Sequence, residues 1–241
     1  MRFAACGILS LAILTAIAGK PSVLRAQDEL DRRAVMDRFL AQGTESLVSY
    51  EARRHLSVVA RGGKMQAQLT ATTSLDAEGK FEYQVLEESG STFLRSRVLH
   101  PILEAEQEAK RRSKGTHGAL TSANYMFTVA EMTPEGLLRV GIRPKRKDDL
   151  LIDGSILLTC VDSDLVRLEG LLVKRPSFWT RRVRIVRDYG RVAGVRVPLS
   201  TGSTADVLFA GQSNFTMTYD YTSINGVRIA PDSAPRVTAA R

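Results

Sequence analysis

From Leu47 onward the chain alternates. Tyr50, Ala52, Arg54, Leu56, Val58 and Ala60 form one set at period two; after Gly62-Gly63-Lys64 a second follows, Met65, Ala67, Leu69 and Ala71, opposed by Gln66, Gln68, Thr70 and Thr72. This pattern predicts strands with one dry and one wet face. Phe81, Tyr83 and Val85 open a third strand after the turn at Asp76 to Gly79. The period then changes. In STFLRSRVLHPILEAEQEAKRRS, Leu94, Val98, Leu99, Ile102, Leu103, Ala105 and Ala109 share one helical side, and Glu104, Glu106, Glu108, Lys110 and Arg111 lie away from it. Ser91 is placed to cap this helix, and Pro101 predicts a kink or a break into two helices. Such a helix, inserted between strands, is a ready cover for the dry face.

Strands resume at Tyr125, turn at Thr133 to Gly136, and run on through Leu137 to Ile142. The stretch around which the chain is organised, Leu151 to Thr201, follows a turn at Arg146 to Asp149. Its short apolar runs are cut by Asp162-Ser163-Asp164, Arg175-Pro176-Ser177, Asp188-Tyr189-Gly190 and Gly194, which predicts a meander of antiparallel strands. Two runs follow Pro198, Ala205 to Ala210 and Asn214 to Tyr221. Asn225-Gly226 is a strong hairpin pair before Val227-Arg228-Ile229. The strands number about eleven, in blocks of about three and eight with helical cover between. Asp28 to Gln42 predicts a further amphipathic helix ahead of the first strand, with Gly43 as its stop.

The N-terminus changes the compartment. Arg2 precedes an apolar stretch from Phe3 to Ala18, and Ala18 or Ala26 offers a small-residue cut, the pattern of a secretory signal peptide over residues 1–26. The folded domain is then expected over 27–229 with a frayed tail at 230–241. Removal of the leader takes Arg2, Lys20 and Arg25 and no acid, so the net charge falls from +8 to +5. Basic clusters at Lys110 to Lys114 and Pro144 to Lys147 read as solvated ends, and export argues against nucleic acid as a partner. Cys6 leaves with the leader, so Cys160 has no disulfide partner, and ILLTCVD reads as a buried strand.

Enzyme signatures are missing. There is no G-x-S-x-G, H-E-x-x-H, Walker or dinucleotide motif, and His55, His100 and His117 lack metal-ligand spacing. Asp162 and Asp164 suit a turn, and Glu104 and Glu108 a solvated helix face. A non-enzymatic protein with no cofactor and no metal is expected.

The segment VDSDLVRLEGLLVKRPSFWTRRVRIVRDYGRVAGVRVPLS, with the leader, the leading helix and the strand–helix–strand order, resembles the exported LolA/LolB-like superfamily of outer-membrane lipoprotein carriers and receptors, to which the N-terminal domain of a periplasmic sigma-factor regulator is related. The resemblance is to the broad family and carries over none of the carrier's functional residues. It implies a mainly β, α+β fold: an unclosed antiparallel barrel around a hydrophobic cavity, with helices as its lid, in a periplasmic protein that binds a lipid or an acylated protein. A strand of ten residues spans roughly 33 Å, enough to lie along an acyl chain, and about 0.8 kcal/mol per buried methylene makes lipid binding workable without a polar motif. The candidate lining residues are Met65, Leu69, Leu99, Leu103, Met126, Met217 and Tyr219. Phe178 and Trp179 read either as a core plug or as an anchor at the cavity mouth, where transient membrane-surface contact would occur. The alternative is a cell-envelope interaction module of the same fold with a self-filled cavity and a protein partner.

Overall fold

The computed structural model describes residues 21–42, 47–112, 118–148, 150–174, 180–207 and 211–230. Helix α1 (Pro21–Ala41) leads into β1 (Tyr50–Ala60), β2 (Met65–Leu75) and β3 (Phe81–Gly90). A helical segment follows, made of α2 (Thr92–Leu94), a π-helical turn (Arg95–Leu99) and α3 (His100–Arg111). The remaining strands are β4 (Tyr125–Met132), β5 (Leu137–Pro144), β6 (Ile152–Thr159), β7 (Leu165–Leu172), β8 (Thr180–Val192), β9 (Val195–Val207), β10 (Gly211–Ile224) and β11 (Val227–Arg228).

Among the described residues these form one antiparallel sheet of 11 strands in the order β3-β2-β1-β10-β9-β8-β7-β6-β5-β4, with β11 on β10. β3 and β4 are consecutive strands of the chain yet occupy opposite edges, so the sheet is unclosed. The connection from one edge to the other carries the helical segment over the dry face. Topology therefore supplies the cover that an antiparallel sheet with one apolar face requires.

Cross-strand register shows how the dry face is built. Ala71–Arg54–Tyr219, Leu69–Leu56–Met217 and Ala67–Val58–Phe215 stand in rows across β2, β1 and β10. The alanines leave room for the helix, which lays Leu94, Leu99 and Leu103 on these rows. Each such side chain contributes about 1.5–3 kcal/mol of burial. Ser91 Oγ accepts from the Leu94 amide at 3.4 Å, the cap read from the sequence. The segment divides where Pro101 predicts: the proline stands in the first turn of α3, one residue past the π turn that separates it from α2.

Helix α1 covers the other end of the same sheet. Val35 and Phe39 pack with Leu138, Val140, Ile156, Leu158 and Leu168, and Arg38 donates to Ser163 Oγ (3.1 Å) and the Cys160 carbonyl (3.0 Å) in the β6–β7 turn. Within the described residues the helix extends N-terminal of the expected Asp28, covering Pro21–Ala41. Most of the predicted leader, and residues 231–241 of the predicted tail, lie outside the described residues. No described helix is long and apolar enough to cross a membrane.

Three other readings are corrected. Asp188-Tyr189-Gly190 is not a turn: it lies inside β8, where the register slips by one residue between Asp188 and Tyr189. The reversal is at Ala193-Gly194, with φ of 49° and 80°, a pair hard to see because alanine rarely adopts positive φ. Pro198 does not end a run either, since β9 continues through it to Val207. Cys160 sits in the turn after β6, with Sγ 3.5 Å from the Gly136 carbonyl oxygen, rather than in a strand.

Candidate functional site: a cleft between sheet and helix

The two helical covers leave the middle of the dry face open. A cleft of about 630 Å³ lies there, walled by Ile102, Ala105 and Glu106 of α3 on one side and by β1, β8, β9 and β10 on the other. Its volume falls in the range of about 300–1,000 Å³ that small-molecule sites occupy. The strands supply their inward side chains by parity: Val183, Ile185 and Arg187 from β8; Thr201 and Ser203 from β9; Phe215, Met217, Tyr219 and Tyr221 from β10; Tyr50 and Arg54 from β1.

The lining divides along the strands. Register pairs Ile185 with Ser203 and Ser203 with Phe215, then Arg187 with Thr201 and Thr201 with Met217. Beyond that row stand Tyr219, opposite Arg54, and Tyr221, opposite Ala52. Apolar side chains therefore gather at the Val183–Phe215 end and polar ones at the Arg187–Arg54 end.

The polar end is a dense network. Arg54 is 2% exposed. Its terminal nitrogens donate to both oxygens of Glu106 (2.6 and 3.0 Å) and to the Tyr50 hydroxyl (2.5 Å), while its Nε is buried without a hydrogen-bond partner. The guanidinium also lies 4.8 Å from the Tyr219 ring centroid and 5.2 Å from that of Phe81. Burial pulls the Arg54 guanidinium down, but hydrogen bonding and charge from Glu106 outweigh it, so its pKa is raised and it stays charged. Burial also pushes the phenols of Tyr50, Tyr219 and Tyr221 well above the ordinary tyrosine value, keeping them neutral. Tyr221 donates to the Pro198 carbonyl at 2.9 Å.

Of the residues proposed from sequence, Met217 and Tyr219 line this cleft. Leu69, Leu99 and Leu103 do not: they are packed solid between helix and sheet, with Met65 half-buried against the same cluster. Met126 is 49% exposed, because in β4 it is the neighbour Tyr125 that has the inward parity. Phe178 and Trp179 lie outside the described residues. Glu106, expected on the solvated face, instead points to the sheet and meets Arg54. Sequence reading missed Arg54, Arg187 and Glu106 as site residues. A signal existed for both arginines: Arg54 and Arg187 each fall in the apolar phase of a strand, where a charge has no reason to be unless something pairs with it.

Other chemistry lies elsewhere. His55 stands 3.2 Å from both Thr70 Oγ1 and Asp220 Oδ2, the residue types of a nucleophile, a base and an acid. That row is on the outer, solvated face; His55 and Asp220 are exposed, and the neighbouring backbone amides are committed to the strand ladders. It is a cross-strand polar row. Among the described residues no group of three or more His, Cys, Asp or Glu is placed to hold a metal.

No protein-family model and no curated protein matches the chain. Solved structures do. A LolA superfamily protein from Nitrosomonas europaea is 9% identical, with a TM-score of 0.39, over 83% of this chain and 95% of that one. A domain described as an outer membrane lipoprotein-sorting protein, from Vibrio parahaemolyticus, is 8% identical with a TM-score of 0.42, over 81% and 91%. A DUF1329 family protein from Desulfovibrio piger is 8% identical with a TM-score of 0.40, over 80% and 90%.

Proposed function

We propose that this protein is an exported, non-enzymatic carrier or sensor that holds a lipid, or the acyl chain of an acylated protein, in the cleft between α3 and strands β8 to β10. The observation that carries the reading is the open middle of the dry face: a hollow of about 630 Å³ with Ile102, Val183, Ile185, Phe215 and Met217 along its apolar end. An acyl chain laid there gains about 0.8 kcal/mol for each methylene removed from water. Export, and with it a periplasmic location, is supported by the basic start and apolar run of residues 1–18.

Organic extraction of the purified mature protein followed by mass spectrometry should recover lipid, and a fluorescent fatty acid should bind and be displaced by unlabelled palmitate. An empty extract together with no probe binding would contradict the carrier and favour an envelope interaction module, whose partner would be a protein.

A further inference from the structure

The lining of the cleft has an imbalance of charge. Among the described residues Arg54, Lys110 and Arg187 stand against a single carboxylate, Glu106. Glu106 spends both oxygens on Arg54. The acid next to Arg187 in sequence, Asp188, is engaged by Arg167 Nε (2.6 Å) and Ser200 Oγ (2.9 Å). Arg187 itself donates from Nε to Thr201 Oγ1 at 3.2 Å, and the charge of Glu106 reaches it only from beyond contact distance. Among the described residues it has no carboxylate at ion-pair distance. A part-buried guanidinium with no carboxylate in contact among the described residues gains from an incoming anion.

Its position matters as much as its charge. Arg187 stands at the row where the lining turns from polar to apolar, two residues along β8 from Ile185 and four from Val183, roughly 7 and 13 Å up the same wall. A molecule with an anionic oxygen on Arg187 would therefore lay its tail against Ile185, Val183, Phe215 and Met217.

We propose that Arg187, backed by Thr201, is a seat for a carboxylate or phosphate oxygen, so that the ligand is an acidic amphiphile with its charged end at the arginine end of the cleft. This rests on the acyl-binding reading above and adds the class of headgroup. Arg54 is not this seat, because its terminal nitrogens are already committed.

The test is displacement of a fluorescent probe of neutral headgroup from delipidated full-length mature protein by palmitate, hexadecanol, phosphatidylglycerol, phosphatidylcholine and inorganic phosphate. Palmitate should compete at least about tenfold better than hexadecanol, and phosphatidylglycerol better than phosphatidylcholine, the worth of one charge-assisted hydrogen-bonded contact. Arg187→Gln should bring the palmitate-to-hexadecanol ratio close to one. Arg187→Lys, which keeps the charge and serves as the folded control, should keep part of the ratio. Equal competition by acid and alcohol, or a ratio unmoved by Arg187→Gln, would overturn the headgroup seat while leaving acyl binding standing. Inorganic phosphate competing as well as palmitate would show a free-anion site and overturn the amphiphile. No binding by any lipid would overturn both readings.

Discussion

The two helices cover one face of one sheet in different ways. Under α1 the contact is aliphatic, Val35 and Phe39 on Leu138, Val140, Ile156, Leu158 and Leu168, with hollows of about 890 and 470 Å³ along the flanks of the helix. Under α3 the contact begins the same way, with Leu99 and Leu103 on alanine-rich rows, and then changes: the helix carries Glu106 to a buried arginine, and beyond that pair lies open volume. One end of the sheet is sealed beneath Phe39, its hollows lying along the flanks of the helix among charged residues. The other is core only as far as the polar network, and the cleft starts where side-chain packing stops.

The largest effect expected from this contrast is at the ion pair. Glu106→Ala leaves Arg54 charged and buried with no carboxylate partner, which costs about 3–5 kcal/mol. Replacing both partners by apolar residues of similar volume, Arg54→Met with Glu106→Leu, should recover most of that loss, because the desolvation of two charges is removed together. Urea unfolding of the two variants checks this. If the single and double variants lose the same stability, the pair is not what fastens α3 to the sheet.

Phe39→Ala should cost about 3 kcal/mol by opening a void under α1. Since Phe39 is in the sealed half, displacement of a fluorescent fatty acid should be unaltered at temperatures where the variant is folded. Ser203→Phe, which fills the cleft, should weaken displacement at near-normal stability. A loss of binding with Phe39→Ala alone would merge the two halves into one unit.

Gly154 sharpens the geometry of the sealed half. It faces Gly170 across β6 and β7, and an added Cβ would lie 2.1 Å from the Glu169 carbonyl oxygen. Gly154→Ala should therefore force the strands apart and cost about 1–3 kcal/mol. A neutral result in thermal unfolding would mean that the strand approach is looser than this.

The smallest effect is the response to alkali. Folding holds Tyr50, Tyr219 and Tyr221 neutral above their ordinary pKa, chiefly through burial. Their contribution is complete below about pH 10, where tyrosines of the unfolded chain also keep their protons, and it is lost as pH rises beyond that, when only the unfolded chain releases them. Denaturant midpoints should stay level from neutrality to about pH 9 and then fall, with Tyr221→Phe softening the fall. A midpoint rising above pH 10 would contradict buried, neutral phenols.

The halves also differ in how far they could be read from sequence. β1 and β2 were legible nearly residue by residue, because their alternation is strict and glycines mark the turn between them. β8 was not, because its bulge carries turn-forming residues while the true hairpin turn spends an alanine at positive φ. About eleven strands and the intervening helix are expected from periodicity, with the breaks in β8 and β9 misplaced. The pairing of β1 with β10 does not, since it joins residues some 150 positions or more apart in the chain and periodicity carries no partner information. In the site, an apolar hollow was expected and its polar end was not. Glu106 sits among charged helix neighbours, and only the position of Arg54 beneath it distinguishes it from them.

The most direct test of the central claim, that the unsealed half holds an acyl ligand, is methyl NMR of the mature protein during titration with palmitate. Saturable shifts are predicted for the methyls of Ile102, Val183, Ile185 and Met217, with those of Val140, Ile156 and Leu158 under α1 left in place. Shifts confined to the sealed half or the outer face, or no shifts at all, would contradict it.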